Sequence, residues 1–176
     1  MQIIVKKFGG TSLSNIERII RAISYIKSDL KKGYKVIVVV SAMGKETDRL
    51  LSLYDRLDEY RDTDDISALL SSGELVSSAF FAIMLNKLGL KGKSFQGWQL
   101  PIITQNISYN SLINEIHVNK LNKSLKNNEV PVLSGFQGVN SENRITTLGR
   151  GGADTTAGAL AYKLKAIRCD IDTDVE

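Results

Sequence analysis

With 176 residues, 43% of them hydrophobic and 24% charged, the chain is long and apolar enough to build a core and lies far from the composition of a disordered protein. The 23 Lys and Arg exceed the 19 Asp and Glu to give a formal charge of +4, without a long basic run or interleaved aromatics, so nucleic acid is not an expected partner. No apolar run reaches the roughly 18 residues that span a bilayer, and the charged start has no secretory core, so a cytoplasmic protein off the membrane is expected. A single cysteine, Cys169, excludes an intrachain disulfide and a CxxC metal site, and reads as a small buried residue on a strand. His117, the only histidine, falls in a polar stretch and reads as a partly exposed helix position, not as a ligand.

In chain order, Ile3, Ile4 and Val5 form a β-branched run closed by Gly9 and Gly10, which predicts a buried strand and a tight turn. A helix should follow, opened by a capping box from Ser14 to Glu17, with Ile16, Ile19, Ile20, Ile23 and Ile26 on one face and Gly33 as its stop. Residues 36–40 are continuously apolar and too short for a helix, as in a parallel strand covered on both faces. The acidic segment 55–65 predicts a surface loop or helix. Leu75, Val76, Ala79, Phe80, Ile83 and Met84 repeat at helical spacing and predict a second core helix ended by Gly89. Polar residues 119–128 suit the outer part of a helix. Residues 130–133 suit a short strand weakened by Pro131. Ala157, Leu160, Ala161 and Leu164 then give a helix feeding a last strand at 167–171. This alternation predicts an α/β fold, a mostly parallel sheet with helices on both faces, in which ligands bind beyond the carboxyl ends of the strands.

Four motifs fall at such strand or helix ends. Lys7-Phe8-Gly9-Gly10-Thr11-Ser12 follows the first strand; its glycines let backbone amides turn inward and Lys7 adds a full charge, a set suited to phosphate, although the order is not that of a Walker loop and an ordinary glycine turn reads equally well. Ser41-Ala42-Met43-Gly44-Lys45-Glu46-Thr47 follows residues 36–40 and offers the Ser41 and Thr47 hydroxyls to an anion, or simply caps a helix. Ser71-Ser72-Gly73-Glu74 is expected at a helix start, where Glu74 either pairs with a substrate ammonium or complements the helix dipole. Thr147-Leu148-Gly149-Arg150-Gly151-Gly152-Ala153-Asp154-Thr155-Thr156 is the most informative, because a structural turn does not need both an anion-binding arginine and a carboxylate.

Taken together, KFGGTS, VVVSAMGK, SSGE, GFQG and TTLGRGGADTTA, in that order and across nearly the whole chain, resemble the bacterial aspartate kinases of the amino-acid kinase fold. The resemblance implies a three-layer α/β domain that transfers the γ-phosphate of ATP to the side-chain carboxylate of L-aspartate, giving 4-phospho-L-aspartate for lysine, threonine, methionine and diaminopimelate synthesis. It gives the ATP phosphates to Lys7, Phe8, Gly9, Gly10, Thr11 and Ser12, with Thr173 and Asp174 as further nucleotide contacts and Mg²⁺ carried by the nucleotide, not by a protein metal site. Glu74 would hold the α-ammonium of aspartate and Arg150 its α-carboxylate, with Ser41, Thr47, Phe136, Gly151, Gly152 and Ala153 around the substrate and Asp154 orienting Lys7. From below, phosphoryl transfer to an ionised carboxylate needs positioning and charge neutralisation more than a general base.

Three departures from the family pattern stand out. Ala153 replaces a usual serine, Asp172 replaces a usually apolar or aromatic residue, and the family continues past Thr173-Asp174-Val175 into an adenine-binding lobe and usually regulatory ACT domains. Residues 1–176 are therefore expected to be the amino-terminal part of a catalytic domain, carrying the aspartate pocket and phosphate loop, with a homo-oligomeric contact or a partner covering an open sheet edge. A reading from another class is a non-catalytic amino-acid-binding chain that needs a second chain.

Overall fold

The computed structural model describes residues 1–57, 65–107 and 109–172. Its centre is a five-stranded sheet of β1 (Ile3–Phe8), β2 (Lys35–Val40), β3 (Gly92–Phe95), β6 (Val130–Ser134) and β9 (Arg168–Asp172), in the order β3-β6-β2-β1-β9 with every neighbouring pair parallel. The strands β1 and β2 are short β-branched runs buried almost throughout, because helices cover both faces. On one face α1 (Ile16–Lys31) and α3 (Ile66–Lys87) pack on Phe8, Val38 and Val40, with the Phe8 and Phe81 rings stacked at 5.7 Å. On the other, α4 (Asn119–Lys126) and α5 (Gly152–Lys163) lay Leu121, Leu125, Ala157 and Leu160 on Val5, Ile37, Val39 and Leu133. The helix α2 (Glu46–Asp55) leans on α3. Strand β9 ends the sheet order, so the edge expected to need a partner is its outer one.

A second, four-stranded sheet was not legible in the sequence. Strands β4 (Ile102–Thr104), β5 (Ile113–Ile116), β7 (Gln137–Val139) and β8 (Ile145–Thr147) run in the order β5-β4-β7-β8, with β4-β5 and β7-β8 antiparallel. Strands of three or four residues carry too few side chains for a period-two pattern to show. Polar pairs hold this sheet from within: Thr104 and Thr146 hydroxyls lie 2.6 Å apart, and Thr147 lies 3.0 Å from Ser67 at the start of α3.

Four local expectations need correction. The N-cap of α1 is Asn15, whose side chain accepts from the Arg18 amide, so the expected Ser14–Glu17 box lies one residue off; Ile19, Ile23 and Ile26 are buried with Ala22, while Ile16 and Ile20 are exposed. The segment Ser71-Ser72-Gly73-Glu74 is not at a helix start, because α3 already begins at Ile66, and Glu74 sits in its third turn, too far in to serve the helix dipole. The expected face of α3 is right only in part: Met84 is buried and Phe80 packs on the core, but Leu75, Val76 and Ile83 point out, while Leu70, Ser71, Glu74, Ser77, Ser78, Phe81 and Leu85 point in. By length and composition α3 could cross a membrane, yet more than half of that stretch is buried in this fold. Finally, His117 follows β5 and precedes α4, with its ring 3.4 Å from Glu115. Pro131 is accepted inside the sheet because β6 meets β2 only from Val132 onward.

Candidate active site

The parallel strands end on one side of the sheet, and four chain turns gather there. After β1 the chain enters a single 3-10 turn, Thr11–Leu13, and the carbonyl of Gly10 accepts from the amide of Gly44 at 2.9 Å in the loop after β2. A side chain at Gly10 would put its Cβ 2.6 Å from the Ala42 carbonyl oxygen, so only glycine lets these two loops close on each other. Ser41 is tied in by its amide, which donates to Phe8. Thr47 stands in the first turn of α2, partly exposed.

Beside these loops, Gly73 lets α3 approach closely, since a Cβ there would lie 2.8 Å from that of Ala42. That approach delivers Glu74. Its Oε1 accepts from the backbone N–H of Ala42 at 3.1 Å, while its Oε2 is buried and has no hydrogen-bond partner among the described residues. Burial pushes the carboxyl up to about 7, against the opposing pull of the Ala42 amide. An ionised carboxylate with one buried oxygen unsatisfied is costly, and a cation placed on that oxygen would relieve the cost.

The third and fourth turns bring the other charges. Phe136, between β6 and β7, has a left-handed backbone (φ 69°), and its N–H donates to Thr156 Oγ1 of α5 while its carbonyl accepts from Leu148. A non-glycine residue held in this region costs energy and persists because both neighbours fix it. Gly152 packs so closely on Phe136 that a Cβ would meet the ring at 2.8 Å, and Ala153 packs equally closely on Gly135. Gly151, with φ 75°, turns the chain into α5 just after the exposed Arg150. Asp154, in the first turn of α5, places Oδ1 2.8 Å from Lys7 Nζ. Lys7 itself is buried, and its Nζ also lies against Gly9.

The structure thus brings Lys7, the 9–12 turn, Ser41, Glu74, Phe136, Gly151, Gly152, Ala153 and Asp154 to one end of the sheet, with Arg150 at its rim; Thr173 and Asp174 lie outside the described residues. Three contributors were missed in the sequence. The Ala42 amide binds Glu74, although only the hydroxyls of that loop had drawn notice. Ser134 and Gln96 touch the turn that carries Glu74; Ser134 adjoins the GFQG segment and so had a faint signal, whereas Gln96 had none.

Comparison with known proteins agrees with this architecture. The model of the "Amino acid kinase family" matches residues 2–176. An aspartokinase from Rickettsia conorii is 45% identical over all of this chain, which covers 45% of that protein. The crystal structure of an aspartate kinase from Synechocystis superposes with a TM-score of 0.84 at 39% identity, over 98% of this chain and 28% of that one. E. coli aspartokinase III, solved in complex with aspartate and ADP, superposes with a TM-score of 0.83 at 25% identity, over 99% of this chain and 49% of that one. The chain spans a little under half the length of the curated relatives it matches. By the extent of the family match and the parallel sheet with its gathered loops, the chain belongs to the amino acid kinase family.

Proposed function

We propose that this chain carries the aspartate pocket and phosphate loop of an aspartate kinase, which moves the γ-phosphoryl group of ATP to the side-chain carboxylate of L-aspartate. The observation that carries the reading is the buried, unpartnered Oε2 of Glu74 at the same sheet end as Lys7. A carboxylate of this kind suits an ammonium group, and the aspartokinase similarity supplies the acid on which that ammonium sits. E. coli aspartokinase III has been solved with aspartate and ADP, which supports the same pair of ligands here.

In this reading Glu74 takes the α-ammonium and Arg150 grips the α-carboxylate through its planar fork, so the side-chain carboxylate is held at a set distance from both. Ser41, Thr47, Phe136 and residues 151–153 wall the substrate. Lys7 would meet phosphate oxygens, its Nζ kept in place by Asp154, and the turn of Phe8, Gly9, Gly10, Thr11 and Ser12 would bring backbone amides to the same anion. The fit to a polyphosphate rests on a buried lysine beside a paired-glycine turn at a sheet end. Bound MgATP would supply the phosphoryl group and divalent positive charge, and Thr173 and Asp174 would join its contacts. The acceptor is already ionised at neutral pH, so the chain needs no general base; it has to align the groups and neutralise charge. A cytoplasmic setting goes with this reading, as does an oligomer or partner at the outer edge of β9.

Titrating the chain with L-aspartate, L-glutamate and succinate tests it. Aspartate should bind, glutamate more weakly because of its extra methylene, and succinate hardly at all because it lacks the ammonium. Equal binding of succinate and aspartate would overturn the assignment of Glu74.

A further inference from the structure

The inward face of α3 carries serines among its apolar residues, and three of them close hydrogen bonds within the helix: Ser71 returns to Ala68, Ser77 to Gly73 and Ser78 to Leu75. Around Glu74 the pattern changes. The Ser134 hydroxyl at the end of β6 lies 3.0 Å from the backbone carbonyl of Glu74, 2.9 Å from the Ser78 hydroxyl, and within hydrogen-bonding distance of Gln96 Oε1. The Gln96 amide in turn donates to Ser78 at 3.1 Å. One turn earlier, Gln137 donates to the carbonyl of Ser71 at 3.3 Å and accepts from the amide of Gly97 at 3.1 Å. The helix is thus tied to β6, to the loop after β3 and to β7 on both sides of the residue that carries the unsatisfied carboxylate. Ser78, Ser134, Gln96 and Gln137 are all buried.

A purely structural contact at this place would be made more cheaply by apolar groups, since the Glu74 carbonyl lies inside a helix and can already take a backbone amide. What a second donor on that carbonyl adds is orientation. A carboxylate held away from water is driven to swing or shift toward solvent, and only a rigid backbone and a satisfied polar ring hold it where a ligand can use it. We propose that Ser134 and Gln96 are positioning residues for the Glu74 carboxylate, fixing the turn of α3 so that Oε2 stays aimed into the pocket. The inference rests on the reading of Glu74 as the ammonium site.

Ser134 has one proton to share between Glu74 O and Gln96 Oε1, so replacing it by alanine frees the turn and leaves the Gln96 acceptor without that donor. The test is calorimetric titration of Ser134→Ala, Gln96→Leu and Glu74→Gln with L-aspartate and, separately, with MgATP, well below the unfolding temperature. The expected result is a loss of aspartate affinity of about tenfold in both Ser134→Ala and Gln96→Leu, with MgATP affinity unchanged within about twofold. If Ser134→Ala does not fold, Gln96→Leu decides alone. Wild-type aspartate affinity in these variants, or equal losses for both ligands, overturns the positioning role while Glu74→Gln still abolishes aspartate binding. Unchanged aspartate binding in Glu74→Gln overturns the ammonium assignment itself.

Discussion

Strand β1 carries two successive lysines, equally buried, that face opposite sides of the sheet, and their surroundings differ in kind. Lys6 lies 2.9 Å from Asp29 and 2.7 Å from Asp170, and Arg168 closes the cluster on both carboxylates. Asp29 sits in the last turn of α1, the wrong end of a helix for an acid, and is retained there by these cations. Lys7 has Asp154 at 2.8 Å, and that carboxylate is 47% exposed. The lesson is that burial alone does not mark a functional charge: Lys6 is neutralised within the fold, while Lys7 pairs with a carboxylate that water can reach, as the proposed phosphate role requires.

The largest expected effect separates the two by stability. Lys6→Ala leaves two carboxylates around one arginine and should cost about 3–5 kcal/mol in denaturant unfolding, whereas Lys7→Ala should cost less than about 1 kcal/mol because Asp154 can hydrate. Equal costs would break the comparison. The cluster also sets an acid limit. Burial would raise the Asp29 carboxyl, but Lys6 and Arg168 outweigh it and hold the group below its usual 3.8, so its contribution is full above that value and is lost as pH falls through the lower folded one.

Turnover should invert the order. In a form of the enzyme with measurable aspartate phosphorylation, Lys7→Ala should lower kcat by the equivalent of about 2–4 kcal/mol with little change in KM for aspartate. A kcat near wild type would remove Lys7 from the phosphate.

Next in size is a pH effect of opposite sign to that of Asp29. With the folded-state Glu74 raised from 4.5 to about 7, the native state holds a proton that the unfolded state has released across that window, so stability falls as pH rises through it. Glu74→Gln should therefore gain on the order of 2–3 kcal/mol at pH 8 and almost nothing at pH 4. Unfolding curves at the two pH values check this, and a variant that is less stable at pH 8 would contradict the burial of an uncompensated carboxylate.

How much of this was readable beforehand depends on what each segment shows to a pattern. The strands β1 and β2 and their helix α1 were legible because burial on two faces and a 3.6 period leave dense apolar signals. Helix α3 was found but its face only in part, Met84 and Phe80 packing on the core and Leu75, Val76 and Ile83 not, because the buried face mixes apolar residues with Ser, Gly and Glu, whose burial is supported by hydrogen bonds and close backbone approach. The loops that gather at the sheet end were marked by Gly9, Gly10, Gly151 and Gly152. The Lys6 cluster was invisible, because Asp29 and Asp170 come together with Lys6 only through the tertiary fold.

The smallest effect sharpens the rim of the site. Arg150→Lys keeps the charge but loses the planar two-point grip, and should weaken L-aspartate by about tenfold, or roughly 1.4 kcal/mol, in a binding titration. Unchanged affinity would return Arg150 to a turn-forming role.

The central claim, that the buried Glu74 carboxylate receives a substrate ammonium, is tested most directly by counting protons. Aspartate binding would be measured calorimetrically at pH 6 in buffers of different ionisation enthalpy. With Glu74 near 7 in the free protein and ionised against the ammonium in the complex, binding at pH 6 should release close to one proton. The release should fade by pH 8, where the free carboxyl is already ionised. Proton-neutral binding of aspartate at pH 6 would contradict the account.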